Sequence, residues 1–253
     1  MAMSAGPKPT LRVCALYPDL MNIYADRGNL LMLQRRCAWR GLGFQLSGSS
    51  LDQPLDGAAH DIYYIGGGQD RDQRLCAEDL HEHKREALHE AAARGAVVLG
   101  VCGGYQLLGN SYVLDGDTLA GVGLLCARTV REPGPRLIGN VAIQVSLECS
   151  GIDTPRVLAG FENHGGRTYL EDDCRPLGRV LKGHGNDGRS GQEGARAGNV
   201  IGTYLHGPLL PKNAWFADWL IAAALGIDVS ELAPLDDELE QQAHESAGRA
   251  AHV

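Results

Sequence analysis

The stretch Ala96-Val-Val-Leu-Gly-Val-Cys-Gly-Gly-Tyr-Gln-Leu-Leu-Gly109 limits what this chain can fold into more than any other. Val97 to Val101 is apolar, rich in β-branched residues and preceded by Gly95, which suits a central strand covered on both faces. Gly103-Gly104 allows a sharp turn, and Tyr105-Gln-Leu-Leu opens a helix. The spacing Gly100-x-Cys102-Gly-Gly104 is the thiol counterpart of the Gly-x-Ser-x-Gly nucleophile elbow. In an elbow the strand and the following helix cross closely, so the positions two before and two after the nucleophile must be small. Cys102 then sits at a helix start, where free N–H groups and the helix dipole favour the thiolate, the nucleophilic form. A buried core cysteine at a strand end is the plain alternative. The flanking glycines and the switch from strand to helix argue for the elbow.

The rest of the chain places this elbow in an α/β fold. Leu11–Leu16 reads as a first strand, Tyr17–Asn22 as a loop, and a helix follows. Leu30, Leu31, Leu33 and Cys37 mark its apolar positions, and it ends near Trp39-Arg40 with Gly41 as C-cap. Phe44–Leu46 is a short second strand. Asp61–Ile65 is a third and runs straight into Gly66-Gly-Gly68. Glu78–Arg94 reads as a long helix stopped by Gly95. Helices alternating with short apolar strands predict a doubly wound, mostly parallel sheet. In such sheets function gathers at the carboxyl ends of the strands. Asp19–Asn29, Gly66–Asp70 and Cys102 all fall there. Beyond the elbow, Gly121–Leu125, Val141–Leu147 and Val157–Phe161 predict strands of an added antiparallel layer. Residues 183–199 hold six glycines and no large apolar side chain, which predicts a mobile loop on the same edge as His206. Val200–Leu205 is a late strand that delivers His206. Asn213–Leu225, with Trp215, Phe216, Trp219 and Leu220, is an amphipathic helix. The expected organisation is a flexible tail over 1–10, one domain over 11–226, and a C-terminal helix and tail over 227–253.

Composition removes several classes of function. The net charge is −8, from 23 basic and 31 acidic residues, which argues against nucleic acid as the main partner. The N-terminus lacks the apolar core of a signal peptide, and no apolar run approaches the length of a membrane span. Seven scattered cysteines without a repeated C-x-x-C spacing point to reduced thiols in the cytoplasm and argue against a metal site. His81, His83 and His89 are interleaved with Lys84, Arg85 and Glu90 and read as a solvated helix face. No Gly-x-x-x-x-Gly-Lys-[Ser/Thr] occurs, so the chain carries no P-loop for a nucleotide.

A thiolate nucleophile needs a base and an oxyanion hole. His206 is the best base: it ends a strand and precedes Gly207-Pro208, which hold its backbone. His164, in Phe161-Glu-Asn-His-Gly-Gly-Arg167, is the rival. The Gly103 N–H is a natural oxyanion donor. Gly67 is the second, since glycine lets backbone approach a substrate closely.

Together the Gly-x-Cys-Gly-Gly-Tyr-Gln elbow, the glycine loop after the preceding strand and the distant strand-end histidine resemble the class I (triad) glutamine amidotransferases. Three stretches narrow the resemblance: Asn22-Ile-Tyr-Ala-Asp-Arg-Gly-Asn29, Phe161-Glu-Asn-His-Gly-Gly-Arg-Thr168 and Gly202-Thr-Tyr-Leu-His-Gly-Pro-Leu-Leu-Pro-Lys-Asn213. Over residues 11–225 they are similar to the cobyric-acid-synthase-like branch, and within it to the glutaminase subunits of lipid II isoglutaminyl synthase. The resemblance implies a flavodoxin-like fold and a heterodimer with a MurT-like partner, a Mur-ligase-like enzyme. ATP and Mg are expected on that partner, and this chain needs no cofactor of its own. Glutamine hydrolysis here would supply ammonia, and the partner would amidate D-glutamate of the lipid II stem peptide in peptidoglycan synthesis. Carried over by position, Cys102 is the nucleophile, His206 the base, and Arg136 the grip on the glutamine substrate. The usual triad of that class carries Glu two residues after the histidine, where this chain has Pro208. Either Cys102 and His206 work as a dyad, or another carboxylate orients His206. Asp26 is the candidate, Glu162 the runner-up, and Asp19 lies nearer the strand end. Asp26 as the N-cap of the following helix is the competing reading. A stand-alone γ-glutamyl thiol hydrolase and a non-catalytic binding subunit are the rival functions.

Overall fold

The computed structural model describes residues 8–22, 27–145, 147, 155–171 and 174–253. Strand β1 (Thr10–Leu16) starts inside the expected tail and leads to helix α1 (Arg27–Trp39), which closes with Gly41 at φ 65°. Edge strand β2 (Gly43–Ser49) and the fully buried β3 (Ile62–Ile65) follow. The next helical stretch begins at Asp70 rather than Glu78. It runs through α2 (Asp70–Asp79), a π-helical turn (Leu80–Lys84) and α3 (Arg85–Ala93). Asp70 and Asp72 in the first turn complement the helix dipole. The π turn has a local cause. Buried Lys84 pairs with buried Asp79, five residues back, and one extra residue per turn brings the two side chains together. Strand β4 (Val97–Val101) and the short helix α4 (Gly103–Leu108) form the elbow.

The region after α4 departs from the sequence expectation. Strands β5 (Ser111–Leu114) and β6 (Asp117–Ala120) form a hairpin on Asp115-Gly116, both at positive φ (54° and 90°). Asp-Gly between short strands is a hairpin signal. Gly121–Leu125, expected as a strand, caps α4 instead. The N–H groups of Val122, Leu124 and Leu125 bond the carbonyls of Leu107 and Leu108, which a helix end leaves without partners. Then come β7 (Ala127–Arg131), β8 (Leu137–Val145), β9 (Arg156–His164), β10 (Gly166–Leu170), β11 (Gly178–Lys182), β12 (Gln192–Glu193), β13 (Ala195–Ala197) and β14 (Val200–Thr203). Helices α5 (Leu209–Lys212), α6 (Ala214–Leu225) and α7 (Glu238–Ala250) complete the chain.

These strands build three sheets. The six-stranded sheet has the order β13-β14-β4-β3-β1-β2, parallel except for the β13–β14 pair. Helices α1 and α6 pack against each other and against this sheet, and α3 packs on β4. The expected added layer is two four-stranded sheets, β10-β7-β5-β6 and β12-β11-β8-β9, antiparallel except for β5–β7. The main core lies around β4, every residue of which is buried.

Residues 183–199 are a folded part of the domain, with Asn186, Glu193 and Ala195 buried. Their composition holds little apolar surface, but polar side chains replace it. The Asn186 amide donates to Gly194 O (2.9 Å) and accepts from Gly194 N (2.8 Å) and from the Tyr105 hydroxyl (3.2 Å). Glu193 accepts from Tyr204 N (2.7 Å) and Thr203 Oγ1 (3.0 Å).

Candidate active site

At the elbow, Cys102 adopts φ 54° and ψ −107°, a backbone region that non-glycine residues avoid. Its N–H donates to Thr203 O (2.8 Å) on the neighbouring strand, and its carbonyl accepts from Gln106 N (3.2 Å). The small flanking residues are required by contact. A Cβ on Gly104 would lie 2.2 Å from Ile65 O, and one on Gly100 would lie 2.7 Å from Gly104 O. Gly104 N–H donates to Gly66 O (3.0 Å), which ties the start of α4 to the glycine loop. Gly66 and Gly67 are buried, and Gly103 lies so close to the loop that an added Cβ would stand 3.1 Å from Gly68 N.

Strand β14 runs parallel to β4 with Thr203 opposite Val101, so Cys102 and His206 both leave the sheet at its carboxyl end. The strand stops at Thr203, short of the expected Leu205, because side chains take the next donors. Glu193 accepts the Tyr204 N–H, and Thr203 Oγ1 accepts the Leu205 N–H (3.0 Å). His206 then exchanges two backbone bonds with Phe161, His206 N to Phe161 O (2.9 Å) and Phe161 N to His206 O (3.1 Å). The Phe161 ring meets the imidazole edge-on, with centroids 5.8 Å apart. The imidazole is buried. Desolvation first, then the positive fields of His164, Lys212 and Arg136, lower its pKa to about 4. His206 is therefore a neutral imidazole at neutral pH, free of the proton that a base must accept.

Alternation along β9 sorts the Phe161–His164 motif into two faces. Phe161 is the paired neighbour of His206, so Phe161 and Asn163 share its face. Glu162 and His164 point the other way. Glu162 is fully buried and accepts from His184 N (2.6 Å) and Gly185 N (2.9 Å). His164 stacks on Tyr204 at 3.6 Å and is bonded to Gly166 O through Nδ1 (2.8 Å). The rival base and the runner-up acid are thus both buried, and each already has hydrogen-bond partners of its own. Asp19 is exposed in the loop after β1. Asp26 lies outside the described residues.

Arg136, just before β8, is exposed and clamped by one residue. Its Nε donates to Asn163 Oδ1 and its Nη2 to Asn163 O, each at 2.7 Å. Arg136, Asn163, Cys102 and Gly68–Arg71 line one cleft of about 380 Å³. A second cleft, about 430 Å³ at the ends of β1 and β2, has no thiol or imidazole among the described residues that line it. Sequence reasoning missed the hydrogen-bond chain behind the elbow. Gln73 donates to Gln106 (2.8 Å), Gln106 donates to the Tyr204 hydroxyl (3.2 Å), and that hydroxyl meets Thr168 Oγ1 (2.6 Å). It fastens α2, α4 and β10 to the segment carrying His206. Gln106 was visible in the elbow motif, but its partners come from distant elements. Among the described residues, Asp52, Asp79 and His83 bring ligand atoms within 4.8 Å of one another. The Asp79 oxygens are already taken by Tyr17, Lys84 and the Asp52 N–H.

A parallel sheet with a strained cysteine elbow at its carboxyl edge is the architecture of class I glutamine amidotransferases. The structure of PurLQS from Thermotoga maritima superposes with a TM-score of 0.62 at 21% identity, over 87% of this chain and 98% of that one. Residues 12–214 match the CobB/CobQ-like glutamine amidotransferase domain, and the chain belongs to that family. It is 38% identical to the lipid II isoglutaminyl synthase (glutamine-hydrolyzing) subunit GatD of Streptococcus pneumoniae, over 92% of this chain and 88% of that protein. The GatD subunit of Staphylococcus aureus is 39% identical over 89% of each. The chain is a glutamine amidotransferase of the GatD type.

Proposed function

We propose that this chain hydrolyses L-glutamine to glutamate and ammonia and passes the ammonia to an ATP-dependent ligase subunit in the cytoplasm. The observation that carries the reading is Cys102, held in a strained elbow, on one cleft with Arg136. Arg136 takes the substrate α-carboxylate, which brings the γ-carboxamide to Cys102. The Cys102 sulfur attacks the carboxamide carbon while neutral His206 accepts the thiol proton. The Gly67 and Gly103 N–H groups stabilise the oxyanion. The imidazolium returns the proton to the leaving nitrogen, so ammonia departs and a γ-glutamyl thioester remains. Water, giving its proton to His206, cleaves the thioester to glutamate and regenerates the thiol. On this reading Cys102 and His206 act as a pair, and Asp26 is the candidate acid that would orient His206. The two GatD relatives support the destination of the ammonia. A MurT-like, Mur-ligase-like subunit, holding ATP and Mg, joins the ammonia to the D-glutamate carboxyl of the lipid II stem peptide in a heterodimer.

Ammonia release from L-glutamine, measured for the chain alone and with the co-purified ligase, tests this. Cys102→Ala should abolish glutamine-dependent amidation, and external ammonium should partly restore product, because the ligase chemistry lies on the other chain. Wild-type glutamine hydrolysis by Cys102→Ala would sink the assignment.

A further inference from the structure

We infer that Asn163 is a positioning residue for substrate recognition: it grips one edge of the Arg136 guanidinium and leaves the opposite fork for the substrate α-carboxylate. This rests on the reading of Arg136 given above. A guanidinium offers five N–H donors on fixed edges. Asn163 takes the Nε–Nη2 edge with two acceptors, its side-chain Oδ1 and its own backbone carbonyl, both at 2.7 Å. The edge made by Nη1 and the second Nη2 hydrogen stays available for the bidentate pairing that carboxylates favour. Arg136 lies on an exposed segment, where an unclamped arginine samples many rotamers that the substrate must then freeze.

The clamp stands on rigid ground. Asn163 is paired with Ile138 in the β8–β9 ladder, and Leu137, next to Arg136, is paired with His164. Two residues back on the same face, Phe161 holds the backbone and ring of His206. One strand therefore sets the aim of both the carboxylate grip and the base. The residue type follows from charge. Only an acceptor can face a guanidinium, and the Asn163 amide oxygen is a neutral one. A carboxylate there would cancel the charge of Arg136 and repel the carboxylate of glutamine. Asn163 and Arg136 both line the cleft that holds Cys102.

The test is a double-mutant cycle on glutamine hydrolysis by the full chain with its ligase subunit. Asn163→Ala should raise KM about tenfold, as expected for losing a hydrogen bond to a charged group, and change kcat by less than about twofold. In an Arg136→Ala background the same change should raise KM by less than about twofold, because the residue it acts through is gone. If Arg136→Ala raises KM but Asn163→Ala does not, or raises it equally in both backgrounds, the positioning role is overturned and the Arg136 reading survives. If Arg136→Ala leaves KM unchanged, both fall. Should Asn163→Ala lose its fold, Asn163→Ser removes the same acceptor and is read in the same cycle.

Discussion

His206 shows how burial sets both chemistry and stability at one residue. Its pKa is lowered from 6.5 to about 4, so the folded protein keeps the ring neutral where the unfolded chain protonates it. Activity on glutamine should therefore hold as pH falls through 6.5 and decline only toward about 4, where the base takes up a proton. Stability responds in the same window. The unfolded state binds the extra proton, so His206 costs nothing above pH 6.5, and folding weakens as pH falls toward 4. The full loss is on the order of 3 kcal/mol. Melting temperatures across this window should fall less steeply for His206→Gln than for wild type. Equal slopes would show that the imidazole is more solvated than its position implies.

At the scale of elements, residues 183–199 act as a polar plug behind β14. Glu193 is fully buried, and desolvation pushes its pKa up to about 8 against the hydrogen bonds from Tyr204 and Thr203, with the charge of Glu162 adding to the rise. The folded chain holds this proton up to about pH 8, whereas the unfolded chain releases it above 4.5. The sign is opposite to that of His206. The stability contributed by Glu193 is present below pH 4.5 and lost as pH rises through about 8. Glu193→Gln keeps a carbonyl to accept the Tyr204 N–H and has no proton to lose. It should raise the melting temperature at pH 8, with the gain shrinking toward pH 4.5. A variant that melts lower at both pH values would mean that both carboxyl oxygens are needed as acceptors.

Over the whole molecule, α1, α6 and the segment leading into α7 are joined by one charged seam. Buried Arg36 bonds Asp218 through Nε (2.7 Å), and Arg40 grips the same carboxylate with two bonds (2.9 and 2.8 Å). Arg36 also reaches Asp237 (2.8 Å). Asp218→Asn leaves two buried guanidinium groups undercompensated and should cost about 3–5 kcal/mol in urea unfolding. Asp237, its side chain 38% exposed, should cost far less on the same change, about 1 kcal/mol. Equal losses of about 1 kcal/mol would mean that the seam is solvated throughout. No helix of the described residues is long and apolar enough to cross a membrane.

What the sequence determined by itself was local. Short apolar runs placed β1, β3, β4 and β14, because a doubly covered parallel strand has to be apolar along its length. Glycines at two fixed distances from Cys102 announced the elbow, because steric crowding there depends on neighbours in the chain. Helix α1 was legible from its spacing and its glycine cap, and α6 from Trp215, Phe216, Trp219 and Leu220. Tertiary structure decided everything that depends on distant partners. Residues 183–199 lack large apolar side chains, yet they fold because Asn186 and Glu193 meet Tyr105, Thr203 and Tyr204 from other elements. Glu162 and Asn163 are adjacent in sequence. Only the pairing of Phe161 with His206 shows that Asn163 shares the face of the base while Glu162 is turned into the core. A linear pattern records how a residue suits its neighbours in the chain. Which acceptor holds Arg136, and which charges surround His206, are set by packing between strands far apart in sequence.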